Sequence, residues 1–213
     1  MFITFEGIEG CGKTTQIRRL GKRLDRYGIP FVMTLEPGGT KIGENIRKML
    51  LDSNNKNISP LTELILYAAD RAQHVEEVIM PALSQGKWVI CDRYFDATVA
   101  YQGSGRKQDM GLINILNDKI TQGIQPDITF LLDCPAELGL DRAFKRDKSL
   151  SRGNQDRFEK EKMDFHRDVR RGYLELARNN DKRFVVIDAV SNEDDVELMI
   201  FQVLQPLLEN RRR

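Results

Sequence analysis

Near its start the chain reads Gly7-Ile8-Glu9-Gly10-Cys11-Gly12-Lys13-Thr14, which satisfies G-x-x-x-x-G-K-[ST] at every fixed position. The chemistry of that spacing is the gripping of a phosphate chain. Glycines let the backbone turn tightly and aim successive N–H groups at one anion. A helix starting near Lys13 adds its positive dipole end and its unpaired amides. Lys13 is expected to reach the β- and γ-phosphates, Thr14 to ligate Mg²⁺ and Thr15 to hold the α-phosphate. Such a cradle serves switches, motors and kinases alike. No guanine-reading N-K-x-D occurs. A small kinase needs a second pocket for an acceptor and a basic flap over the donor.

Both have candidates. Asp92-Arg93-Tyr94 closes an apolar run, so Asp92 is expected at a strand's C-terminal end, facing the ligand crevice. There Asp92 is placed to hold the metal through water, and Arg93 to grip a second phosphate. Tyr67 and Arg71 lie four apart on a predicted helix and share a face, which suits a ring stacked on a base and a guanidinium on its edge. The stretch Arg142 to Arg152 carries Arg142, Lys145, Arg146, Lys148 and Arg152 against Asp147 alone. Ser149, Ser151 and Gly153 break its helical pattern, as a mobile flap requires. An arginine so placed contributes roughly 10³-fold or more to phosphoryl transfer.

The elements that must position these groups follow from periodicity. Strands are expected at Phe2-Phe5, Pro30-Leu35, Lys87-Asp92, Ile128-Asp133 and Phe184-Asp188. They are continuously apolar rather than alternating, which predicts parallel strands covered on both faces. Helical spacing links Ile17, Leu20 and Leu24, then Leu61 through Ile79 behind a Ser59-Pro60 start, then Phe158 through Leu176, and last Val196 through Leu204. Strand and helix in alternation predict one α/β domain over residues 1–213: a doubly wound, five-stranded parallel sheet flanked by helices, with right-handed crossovers.

Composition excludes other classes. An apolar share of 40% argues against disorder. The longest run without Asp, Glu, Lys or Arg, Leu198 to Leu208, is well short of the ~20 residues that span a bilayer. Phe2-Ile3-Thr4-Phe5 meets Glu6 at once, so no signal peptide is expected. Basic residues number 33 against 32 acidic, which supports neither a nucleic-acid nor a membrane partner. Cys11, Cys91 and Cys134 are widely spaced, which predicts small buried thiols in a reducing compartment such as the cytoplasm.

These residues together resemble the thymidylate kinase family of P-loop NTPases, within the nucleoside monophosphate kinases. The resemblance rests on Phe5-Glu6-Gly7 through Thr15, Glu36-Pro37-Gly38-Gly39-Thr40, Leu66-Tyr67-Ala68-Ala69-Asp70-Arg71-Ala72-Gln73-His74, Asp92-Arg93-Tyr94 and Ala100-Tyr101-Gln102-Gly103. Asp156-Arg157-Phe158-Glu159 and Tyr173-Leu174-Glu175-Leu176-Ala177 extend it. It implies ATP-dependent phosphorylation of dTMP to dTDP in a homodimer, with a lid at about 142–156. The alternatives left open are a kinase for another nucleotide or deoxynucleoside and a non-catalytic nucleotide-binding switch.

Carried over by position, Gly7, Ile8, Glu9, Gly10, Cys11, Gly12, Lys13, Thr14, Thr15 and Arg142 bind ATP, with Thr14 and Asp92 toward Mg²⁺. Glu9 sits near the acceptor's 3′-hydroxyl and phosphate. Pro37, Gly38, Tyr67, Arg71, Thr98 and Gln102 form the thymine slot, and Tyr101 crowds the sugar's 2′ position. Arg93 grips the acceptor phosphate. Gly10 stands where some relatives carry an arginine, which assigns that charge to the lid through Arg146 and Arg152. Two positions depart from the common pattern: Leu35 precedes Glu36 in place of an arginine, and Ala97 stands in place of a serine.

Overall fold

The computed structural model describes residues 1–55, 57–149 and 157–210. The described residues form five strands, β1 Phe2–Glu6, β2 Phe31–Leu35, β3 Trp88–Asp92, β4 Ile128–Asp133 and β5 Phe184–Asp188. All neighbours pair in parallel, in the order β2-β3-β1-β4-β5. The five expected strands are therefore present with bounds shifted by a residue at most. Continuous apolarity means two-sided cover for β1, which is buried throughout, and for most of β3 and β4. Edge strand β2 differs. Met33 and Leu35 are exposed at the mouth of a cleft, although Met33 still reaches Gly21 of the helix that follows β1.

The helices are α1 Lys13–Arg26, α2 Lys41–Leu51, α3 Pro60–His74, α4 Met80–Ser84, α5 Phe95–Thr98, α6 Met110–Thr121, α7 Ala136–Ser149, α8 Met163–Asn179 and α9 Glu193–Asn210. The Ser59 hydroxyl accepts from Thr62 N, so the expected cap of α3 is in place. Single π-helical turns, Val75–Ile79 and Val99–Gly105, join α3 to α4 and extend α5. A π turn widens the backbone ring and re-aims the side chains after it. The second such turn carries Tyr101 and Gln102. Among the described residues no helix is long and apolar enough to cross a membrane.

The chain runs from β1 to β2 on one side, then returns through β3 and crosses to β4 on the other. Ligands bind outside the carboxyl ends of strands at such a switch point. The loops after β1 and β3 meet there, carrying Gly7–Gly12 and Asp92–Arg93. Gly10 adopts φ +70°, and a Cβ on it would lie 1.9 Å from the Gly139 carbonyl oxygen. The first turn of α7 thus presses directly on the phosphate loop.

Helix α8 closes the other wall by packing on the π turn at Val99–Gly105. Gly172 makes this approach possible: a Cβ there would meet Ser104 Oγ at 2.3 Å and Ser104 Cβ at 2.6 Å. Gly172→Ala should lower stability by about 1–3 kcal/mol, the range for overpacking a close contact. Urea unfolding midpoints of the two proteins check this; an unchanged midpoint would show that the two elements yield freely.

Candidate active site

A cavity of about 480 Å³ opens at the switch point. Lys13, Thr14 and Asp92 line one part; Tyr67, Arg71, Thr98, Tyr101 and Gln102 line another. Glu9 and Arg93 line the cavity as well. Residues predicted from separate motifs thus converge on one cleft.

The phosphate loop positions Lys13 against its own backbone. Nζ donates to the carbonyls of Gly7 (3.0 Å) and Ile8 (2.9 Å) and touches Cys11 Sγ at 3.5 Å. Gly12, at φ +95°, turns the chain into α1. The Thr14 hydroxyl donates to Asp92 Oδ2 at 3.1 Å. A hydroxyl beside a carboxylate is a hard-oxygen set that suits Mg²⁺, which keeps most of its shell for water and phosphate.

Arg93 is the most constrained cation. Its backbone is left-handed at φ +72°, a conformation that costs a non-glycine residue energy and is kept where surroundings hold it. Its N–H donates to Phe5 O at 3.0 Å. Nη1 donates to Gly7 O (2.8 Å) and to the Tyr173 hydroxyl (3.0 Å). Nη2 donates to Glu9 Oε1 (3.2 Å) and to the Tyr101 hydroxyl (3.0 Å). Tyr101 donates in turn to Glu9 Oε1 at 2.6 Å, and Tyr173 to Glu6 Oε2 at 2.7 Å. Each tyrosine links the guanidinium to a glutamate carboxyl group.

Those two carboxylates titrate in opposite directions. Burial works to raise Glu9, but His166, the charges of Arg93 and Lys13, and the Tyr101 hydroxyl outweigh it and hold the group at about 2. Glu9 is therefore ionised at every working pH. Its Oε2 faces His166 Nδ1 at 3.6 Å, beyond hydrogen-bond length. Glu6 is pushed up to about 8, first by burial and then by the nearby Asp96 charge. Arg93, Tyr173 and Tyr94 N–H pull it down without prevailing.

A second wall of the cavity rests on α3, through Tyr67 and Arg71. Arg71 is 1% exposed. It donates to Glu36 Oε2 (2.7 Å), Thr98 Oγ1 (3.0 Å), Asn117 Oδ1 (3.2 Å) and Tyr94 O (3.2 Å). Glu36 Oε1 also meets His74 Nδ1 at 2.8 Å. The Gly38 N–H donates to Asp70 Oδ1 at 2.9 Å. Burial, then the Glu36 charge, raises Asp70 to about 6. Pro37 lines the cavity, whereas Gly38 stands behind it on Asp70. Leu35 and Ala97, the two departures from the family pattern, both line the cavity.

On the flap side, Arg146 lines the cavity and donates to Glu159 Oε1 at 3.1 Å. Arg142 donates to the carbonyls of Ala189 (2.7 Å) and Val190 (3.3 Å), in the loop after β5. Arg152 lies outside the described residues. Gly7, Ile8, Cys11, Gly12 and Thr15 belong to the loop and its helix start without lining the cavity. Glu6, Tyr173 and His166 received no role from the sequence. They reach the site from a strand end and from α8, at separations of up to 167 residues along the chain.

The thymidylate kinase family model matches residues 5–200. A thymidylate kinase from Pelobacter propionicus is 52% identical over 210 residues, covering 98% of this chain and 96% of the relative. One from Desulfosudis oleivorans is 55% identical over 197 residues, covering 92% of each. The crystal structure of thymidylate kinase from Ehrlichia chaffeensis superposes with a TM-score of 0.76 at 37% identity, over 96% of this chain and 98% of that one.

Glu6 supplies a pH test. It binds its proton more tightly when folded than at its ordinary value near 4.5, so its stabilising effect is complete below that value. The effect is lost as pH rises toward 8. Glu6→Gln keeps a neutral hydrogen-bonding group and removes the titration. Thermal midpoints of the wild type should fall between about pH 5 and pH 8 relative to the variant. Parallel curves would show that Glu6 does not carry the proton.

Proposed function

The chain belongs to the thymidylate kinase family and phosphorylates dTMP to dTDP at the expense of ATP, and we propose how its residues divide that work. The reading is carried by one observation. Lys13 Nζ and Arg93 Nη1 donate to the same carbonyl oxygen, that of Gly7, at 3.0 and 2.8 Å. The cation for the donor and the cation for the acceptor thus meet at one point, where two phosphates must be brought together.

The acceptor phosphate oxygen attacks the γ-phosphorus in line, and the P–O bond to ADP breaks. The protein contributes positioning and charge, because the acceptor is already largely ionised near pH 7 and needs no strong base. Lys13 with the loop amides holds the donor phosphates, and Arg93 aims at the acceptor phosphate. Glu9 faces the acceptor's 3′-hydroxyl and phosphate, and its ionised carboxylate keeps Arg93 from turning away. Tyr101 crowds the 2′ position. Tyr67 stacks on the base, with Arg71, Thr98 and Gln102 on its edge. Arg146 and Arg152 cover the transferring group and limit hydrolysis, while Arg142 serves ATP binding. Mg²⁺, held through Thr14 and Asp92, would neutralise charge on the donor phosphates.

We propose a homodimer as well. Ile42 and Met49 on α2, Leu61 and Ile65 on α3, and Ile115 on α6 are exposed, and α3 packs against both α2 and α6. Contiguous exposed apolar area of this kind marks an interface. The buried, unbridged Cys11, Cys91 and Cys134 suit a cytoplasmic setting.

A coupled assay of ADP release tests the substrate reading. Among dTMP, dCMP, dGMP and thymidine, dTMP should turn over fastest; a faster alternative defeats the choice. Lys13→Met should reduce kcat by about 10²–10³-fold, the scale for losing one transition-state charge donor, and leave dTMP affinity within about threefold. Equal losses in both would remove Lys13 from the donor side. By sedimentation the protein should show twice the chain mass and Ile65→Glu a single chain mass; a monomeric wild type refutes the interface.

A further inference from the structure

Gln102 lines the cavity and is 1% exposed. A glutamine amide offers two donors on one side and an acceptor on the other. Which side faces the cavity decides which base edge it can read. The neighbour on the opposite side settles the matter. Gln102 Nε2 lies 2.8 Å from Glu63 Oε1. A carboxylate accepts and does not donate, so the NH₂ group must be the one turned toward it.

Glu63 is itself held firmly. It is buried at 1% exposure. Arg157 Nη2 donates to Oε2 at 2.6 Å, and Arg106 reaches Oε1 and Oε2 at 3.3 Å each. Two guanidiniums bind the carboxylate and fix its plane. With Nε2 committed to Glu63, the Oε1 carbonyl is what Gln102 can present to a ligand. Glu63, Tyr67 and Arg71 follow one another at intervals of four residues, on one face of α3.

We infer that Glu63 is a specificity-determining positioning residue, which locks the Gln102 amide so that the base slot offers an acceptor beside the donor of Arg71. Thymine presents a ring N3–H beside the O4 acceptor and matches that pair. Cytosine presents a bare N3 beside an amino group and opposes it at both positions. The wall therefore rejects cytosine because of a carboxylate that touches no substrate. This rests on the reading of Gln102 and Arg71 as the edge readers of the acceptor base.

Three measurements test it. Glu63→Gln allows Gln102 to turn over. The ratio of kcat/KM for dTMP over dCMP should fall by about tenfold or more, mainly through KM for dTMP, with KM for ATP unchanged. A ratio within twofold of wild type overturns the inference. Gln102→Met separates the inference from the reading it rests on. If that variant binds dTMP like wild type, Gln102 is not an edge reader and both fall. If it weakens dTMP while Glu63→Gln does nothing, only the role of Glu63 falls. The third measurement uses the wild-type protein and stands even if Glu63→Gln fails to fold. The side-chain NH₂ resonances of Gln102, assigned by their loss in Gln102→Met, should barely move when dTMP binds. A large shift would place the NH₂ against the base and refute the locked amide.

Discussion

Two cations share one carbonyl oxygen, and the rest of the site is arranged around that arrangement. Lys13 and Arg93 both donate to Gly7 O. Two distances of 3.0 and 2.8 Å to one oxygen put the nitrogens no more than about 6 Å apart, where unit charges repel by roughly 3 kcal/mol or more at an effective dielectric of 20. Glu9 lies beside both and is held ionised at about 2, which offsets that repulsion. The same proximity is what the proposed end-to-end seating of two polyanionic nucleotides would use. Glu9 sits inside the phosphate loop, so the loop supplies the carboxylate as well as the cradle.

The pattern repeats on the acceptor side. Several groups that line the cavity are held from behind or beside by an acidic side chain. Arg71 is backed by Glu36 at 2.7 Å, Gln102 by Glu63 at 2.8 Å, and Arg93 by Glu6 through the Tyr173 hydroxyl. Buried ion pairs add little to stability, since desolvation consumes most of the Coulomb gain. Their value here is directional. A guanidinium bonded on its inner edges keeps its outer edge fixed, and a reader that does not swing discriminates between substrates. The left-handed backbone of Arg93 belongs to the same economy: local strain is accepted at the residue whose direction matters most.

How much of this is legible in the sequence depends on distance along the chain. The phosphate loop is local, and the strands of a parallel sheet are apolar runs without interruption, so both can be read directly. The Tyr67–Arg71 pair is legible because helical spacing is local too. The carboxylates behind the readers are not. Glu63 is eight residues before Arg71, yet its significance depends on Gln102, Arg106 and Arg157, three residues from two other segments. His166 and Tyr173 reach Glu9 and Arg93 from α8, across the π turn at Val99–Gly105. No periodicity predicts a widened turn, and without it the aim of Tyr101 and Gln102 cannot be derived. Gly38 is a different case, since its motif is plain in the sequence while the bond of its N–H to Asp70 is not.

Residues 157–159 join contacts from opposite sides of the cavity. Arg157 donates to Glu63, which orients Gln102. The Phe158 ring lies edge-on to Tyr101, with centroids 5.6 Å apart, and 6.3 Å from that of Tyr67. Glu159 accepts from Arg146. Three consecutive residues therefore touch the orienter of the base reader, the aromatic walls of the slot and an arginine of the flap. Adjacent residues share peptide planes, so a displacement of one is passed to the next within a few ångströms. The partner of Arg146 and the partner of Glu63 are therefore only two residues apart along the chain. What joins the two sets of contacts is covalent geometry over three residues.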